Sequence, residues 1–121
     1  MGRVTFEATQ AAFESSSEVL ICGVSDGANR YLVFQRSDGE AADADGVHLE
    51  YSDQINGGYR CVRHCALSRT GLSVDLSRQL GDLRGVEGFD VHLRIADADY
   101  AKFRIGLQSV FRDTPDVLAI A

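Results

Sequence analysis

No apolar run in the 121-residue chain is longer than a few positions, so no segment reads as a membrane-spanning helix. The start, MGRVTFEATQ, lacks an apolar signal core and passes straight into an alternating pattern, which makes the cytoplasm the expected compartment. Lysine is nearly missing: Lys102 is the sole one among 12 basic residues, which face 18 acidic ones for a net charge of −6. A nucleic-acid binder needs a basic face to neutralise phosphates, and this balance argues against that class. It is compatible with a cationic protein partner, because opposite fields steer association. Cysteine is scarce and odd in number, 3 in all. Without an export signal, Cys22, Cys61 and Cys65 are expected as buried thiols rather than disulfides.

The usual chemical motifs are missing as well. CVRHC, Cys61 to Cys65, is the nearest approach to a metal cluster, but no second Cys or His pair stands at ligand spacing. On a strand, Cys61 and Cys65 share one face and His64 points to the other, so without a bulge they do not converge on a metal, and a nucleophile pair with Cys65 would need His48 or His92 from across the sheet rather than His64. There is no G-x-S-x-G elbow. GDLRGVEG, Gly81 to Gly88, has glycines but lacks the strand-then-helix setting of a phosphate cradle and reads as a loop. Asp38, Glu40, Asp43 and Asp45 gather in one loop, yet a calcium loop would need an aspartate where Ala41 stands and a glutamate where Ser52 stands. The loop reads as solvated, or as an acidic finger aimed at a basic partner. No metal, cofactor or catalytic residue is expected.

What the sequence does contain is alternation. Arg3–Ala8, Glu18–Val24, Tyr31–Arg36, Val47–Tyr51, Gly58–Leu67, Leu72–Leu76 and Phe89–Ile95 read as strands joined by hairpin-like turns such as SDGANR. Glu18–Val24 is apolar on both faces, as a strand in the middle of a core would be. After Ile95 the period changes: Tyr100, Phe103, Leu107, Val110 and Phe111 recur at helical spacing, which predicts a helix over residues 98–112 with Asp97 as its N-cap and Thr114-Pro115 as its stop. The final DVLAIA reads as an edge strand or a frayed tail. The expected architecture is α+β: one domain over residues 1–121, a mainly antiparallel sheet of about six to eight strands with one C-terminal helix packed on it.

EYSDQINGGY, Glu50 to Tyr59, is the most polar segment between two strands. Alternation sends Glu50 to the face opposite Val47, Leu49 and Tyr51. Asn56-Gly57-Gly58 has the residues of a tight turn, and Asp53 and Gln54 are suited to bonding its backbone. Alternatively, Glu50, Asp53, Gln54 and Tyr59 form one polar patch that meets a partner.

The stretches YLVFQRS, GVHLEYSDQINGGYRCV and LSRTGLSVDLS resemble the immunity protein 10 family. That pattern has a strand ending in Gln-Arg (Gln35, Arg36), then Gly-x-x-x-Glu-x-x-x-Gln (Gly46, Glu50, Gln54), then an aromatic (Tyr59) leading a strand that ends in Leu-Ser (Leu67, Ser68). The likeness covers Leu20 to Leu76 well; the acidic loop and the Cys61/Cys65 pair are not part of it. It implies a bacterial antitoxin of a polymorphic toxin system, encoded beside a secreted toxin, that binds the toxin domain and blocks it without catalysis. Under that implication the toxin-binding residues are Glu50, Asp53, Gln54 and Tyr59, with Asp43 and Asp45 as steering charges. A competing expectation is a small enzyme or ligand-binding domain using Glu50, His48 and His92 on one sheet face. Dimerisation through an edge strand is compatible with either.

Overall fold

The computed structural model describes residues 2–37 and 46–121. Among these residues ten strands and one α-helix follow one another: β1 (Gly2–Ala8), β2 (Gln10–Ser15), β3 (Val19–Ser25), β4 (Tyr31–Ser37), β5 (His48–Tyr51), β6 (Asp53–Tyr59), β7 (Val62–Ser68), β8 (Gly71–Leu76), β9 (Val86–Leu93), α1 (Asp97–Val110) and β10 (Leu118–Ile120). The class is α+β, as the alternation and the late helical period indicate. The strands are more numerous than expected, however, and they divide into two sheets of five, ordered β1-β9-β8-β7-β10 and β2-β3-β4-β5-β6. The first sheet has parallel edge pairs, β1 with β9 and β10 with β7; every other pairing is antiparallel.

Period-two patterning decides which face is covered. Leu20, Cys22 and Val24 of β3 and Leu32, Phe34 and Arg36 of β4 are buried on the inner face of the second sheet. Facing them from the first sheet are Phe6, Cys65, Leu67, Leu72, Val74, Phe89, Val91 and Leu93. Tyr51 packs between Phe6 and Phe89, ring centroids 6.1 and 5.1 Å away. The helix buries Phe103, Gly106, Leu107 and Val110 and packs on the inner side of β2, β3 and β4. Just past its end, Phe111 meets Phe34 edge-on at 5.9 Å. Its N-cap is Ala96, so Asp97 lies within the first turn beside Asp99, where the helix dipole favours negative charge. No helix among the described residues is long and apolar enough to cross a membrane.

Three segments of loop or turn composition form strands in whole or in part. The polar TQAAFESSS contains β2, whose Phe13 pairs opposite Cys22. The glycine pair Gly57-Gly58 lies inside β6 rather than in a turn. The chain reverses instead at Ser52, where φ is +58°. Neighbours press on both glycines: a Cβ on Gly57 would lie 3.1 Å from the His48 ring, and one on Gly58 would lie 3.0 Å from Cys61 Sγ. GDLRGVEG is a loop only in part, since β9 begins at Val86. Gly81 in that loop, with φ +54°, lies so close to β6 that a Cβ there would collide with the Ile55 carbonyl; the amide of Asp82 donates to that same carbonyl at 3.0 Å. The loop thereby covers part of an otherwise open strand edge, as edge strands generally require.

The parallel β1–β9 pairing is fastened by Arg3. Its guanidinium donates to Asp90 at 2.7 Å, to Asp75 at 2.8 Å and to Ser73 at 3.0 Å, so one side chain ties β1 to β8 and β9.

Candidate functional site

The register of the second sheet places the outward side chains in rows that cross the strands. One row is Glu14, Ile21, Gln35, His48 and Tyr59; the next is Ala12, Gly23, Val33, Glu50 and Gly57. Among the described residues no element packs on this face; the helix lies on the opposite one. Here the reading of β3 as doubly buried is corrected. Its inner face is in the core, but Val19 and Ile21 on the other side are only half-buried.

Glu50 stands between Val33 and Gly57 in the second row. The Tyr31 hydroxyl donates a short hydrogen bond to Glu50 Oε2, and with that carboxylate as its acceptor, and with burial, the phenol is pushed up to about 12. At the β6 edge the Tyr59 ring stands edge-on to His48, centroids 4.8 Å apart. Tyr59 is 46% exposed and Ile55, on the same strand, 61%; these are two of the three large apolar side chains most open to solvent among the described residues. Asp53 does what the turn reading asked of it: its Oδ1 accepts the amide of Ile55 at 3.1 Å. It also stands close enough to Tyr31 for its charge to help hold the phenol protonated. Gln54 is exposed in the irregular stretch between the Tyr51–Asp53 and Glu50–Gly57 pairs.

The structure therefore brings Glu50 and Tyr59 onto one face, with Asp53 at its border. Asp38, Glu40, Asp43 and Asp45 lie outside the described residues. The trio of Glu50, His48 and His92 is not assembled: His92 is on β9 of the other sheet, opposite Gly71 and Glu7. Cys61 and Cys65 are buried while His64 lies on the opposite side of β7, across from Asp75. Burial pushes the Cys65 thiol up to about 12 and drives the Cys22 thiol upward as well. Among the described residues no three His, Cys, Asp or Glu side chains are grouped as a metal ion would need. Sequence reasoning missed Tyr31 and Ile55. Tyr31 heads a strand whose outward parity matches Glu50 only once the β4–β5 register is known, and the lone aliphatic side chain in DQINGGY was the available signal for Ile55.

The outward face thus combines half-buried aliphatics, the exposed Tyr59 ring and carboxylates. Residues 7–101 match the family described as immunity protein 10, and the chain belongs to that family. Membership implies a non-catalytic inhibitor of a toxin. A search of curated proteins finds no match.

Proposed function

We propose that this protein protects the cell that makes it by binding a cognate toxin domain of a polymorphic toxin system and occluding the toxin's working surface. The family match over residues 7–101 carries the reading. The contact surface is the outer face of β4, β5 and β6, with Glu50, Asp53, Gln54 and Tyr59 at the contact and Asp43 and Asp45 steering a cationic toxin. A net charge of −6 supports attraction to such a partner. The partner is encoded by a neighbouring gene, and the complex forms in the cytoplasm. Calorimetric titration of that gene's C-terminal toxin domain into this protein is expected to give nanomolar or tighter binding. No heat with a folded, toxic domain would overturn the pairing.

A further inference from the structure

The second row of the outer face is a trough. Ala12 and Gly23 are adjacent in register, and Val33 follows. No side chain could be added at Gly23, because a Cβ there would lie 2.9 Å from both the Leu32 carbonyl oxygen and a Val33 methyl. The result is a groove of about 340 Å³ over the two small residues, bordered by Ile21, Val33, Tyr31 and Glu14. At its β5 end, next beyond Val33, stands Glu50 with the Tyr31 hydroxyl on one of its carboxylate oxygens.

The chemistry of the groove restricts what can fill it. Its floor and one wall are apolar, so it favours a hydrocarbon stem. Glu50 stands just beyond one end, next to Val33 in register, and covering it with apolar surface alone would strand a desolvated carboxylate, at a cost that only a donor can offset. The outward positions of β2 to β6 contain no Lys or Arg, and no ion pair within the chain engages Glu14 or Glu50 among the described residues. The missing cation must come from outside. An ammonium would satisfy the charge, but a guanidinium also forks onto a carboxylate and stacks on an aromatic ring, and Tyr31 offers that ring beside Glu50.

Resting on the immunity reading, we propose that an arginine side chain of the toxin occupies this groove, its stem over Gly23 between Ile21 and Val33 and its guanidinium on Glu50 against Tyr31. Tyr31 is then a positioning residue that fixes the Glu50 carboxylate. Glu14, at the other end, is a second carboxylate for a basic toxin surface.

The test compares toxin affinity of the wild-type protein with three variants whose folding is checked by thermal melting. Glu50→Gln keeps the shape and the Tyr31 acceptor while removing the charge, and should raise Kd about ten- to a hundredfold, the worth of a charge-assisted hydrogen bond. Ala12→Trp, at an exposed edge position, fills the groove without touching Glu50 and should weaken binding similarly. Glu87→Gln, exposed on the other sheet, changes net charge equally and should leave Kd within about twofold, as an uncoupled site does. If the wild-type protein binds and both groove variants bind equally well, the groove assignment falls and the immunity reading stands. If the wild-type protein neither binds nor protects against a folded toxin, the immunity reading for that pair falls and takes the groove's occupant with it.

Discussion

Tyr31 and Arg3 show how single side chains on the outward faces are held in place, and each has a pH signature. The Glu50 carboxylate accepts the Tyr31 hydrogen bond and, with burial, delays the phenol's ionisation from an ordinary 10.0 to about 12. A raised folded-state value means stability that is complete below the unfolded value and lost as pH rises between those two limits. One of the 4 tyrosines should therefore ionise late in an ultraviolet titration of tyrosinate. Tyr31→Phe should remove that late step and flatten the alkaline loss of stability. Asp90 has the opposite sign. The Arg3 guanidinium and the Ser73 hydroxyl hold it below the usual carboxylate value of 3.8, so its contribution is present above that value and is lost as pH falls through the lower folded one. Both partners are partly exposed, which limits the interaction to about 1 kcal/mol. Arg3→Met should cost about that much in urea titrations at neutral pH, and the difference from wild type should shrink in acid once Asp90 is protonated.

At the scale of the element, α1 packs closely on β3 through Gly106. A Cβ on Gly106 would lie 2.8 Å from the Cys22 Cβ and 2.9 Å from the Phe13 ring. The Phe13 ring can turn, but the Cys22 Cβ is fixed to its strand, so an added methyl must move the helix. Gly106→Ala gains about 1 kcal/mol of helix propensity and incurs overpacking of about 1–3 kcal/mol. The second effect wins, and urea midpoints should fall for the variant although its isolated helix would be more stable. This contact also explains what the sequence displayed and what it concealed. β4, β5, β8 and the body of β9 are legible because their burial alternates, and α1 because its apolar positions recur at helical spacing. β2 was not legible: Ala-Ala and serines have little strand preference, and the strand exists because Phe13 has both Cys22 and the helix to pack against. The Gly57-Gly58 pair carried a turn signal, yet it lies within a strand, with His48 crowding one glycine and Cys61 the other. The division into two sheets depends on β1 finding β9 from the far end of the chain, which no local pattern encodes. For the site, alternation was enough to put Glu50 on the outward face. Only the strand register brings Tyr31 to Glu50 and lays Gly23 beside Ala12.

At the scale of the whole molecule, an excess of six negative charges and an outward sheet face with carboxylates but no lysine or arginine separate two contributions to the toxin capture proposed above. Distant carboxylates act through the field that guides encounter, and salt suppresses that field as the screening length shrinks from about 10 Å at 0.1 M to about 3 Å at 1 M. Residues enclosed by the partner act after encounter, by holding the complex together. Replacing Asp43 and Asp45 together by asparagine should slow association and flatten its dependence on salt while leaving the off-rate near the wild-type value. Tyr59→Ala should do the reverse. It removes an exposed aromatic that already rests on His48 in the free protein, so the ring enters the complex with little freedom left to lose, and its deletion should raise the off-rate by about tenfold or more, the scale of a central interface residue. Stopped-flow association at several salt concentrations, with dissociation followed by competition, reads both quantities on the same variants. Equal effects of both replacements on the two rates would mean that Tyr59 is not enclosed by the toxin, and the contact would then have to be sought elsewhere on the molecule.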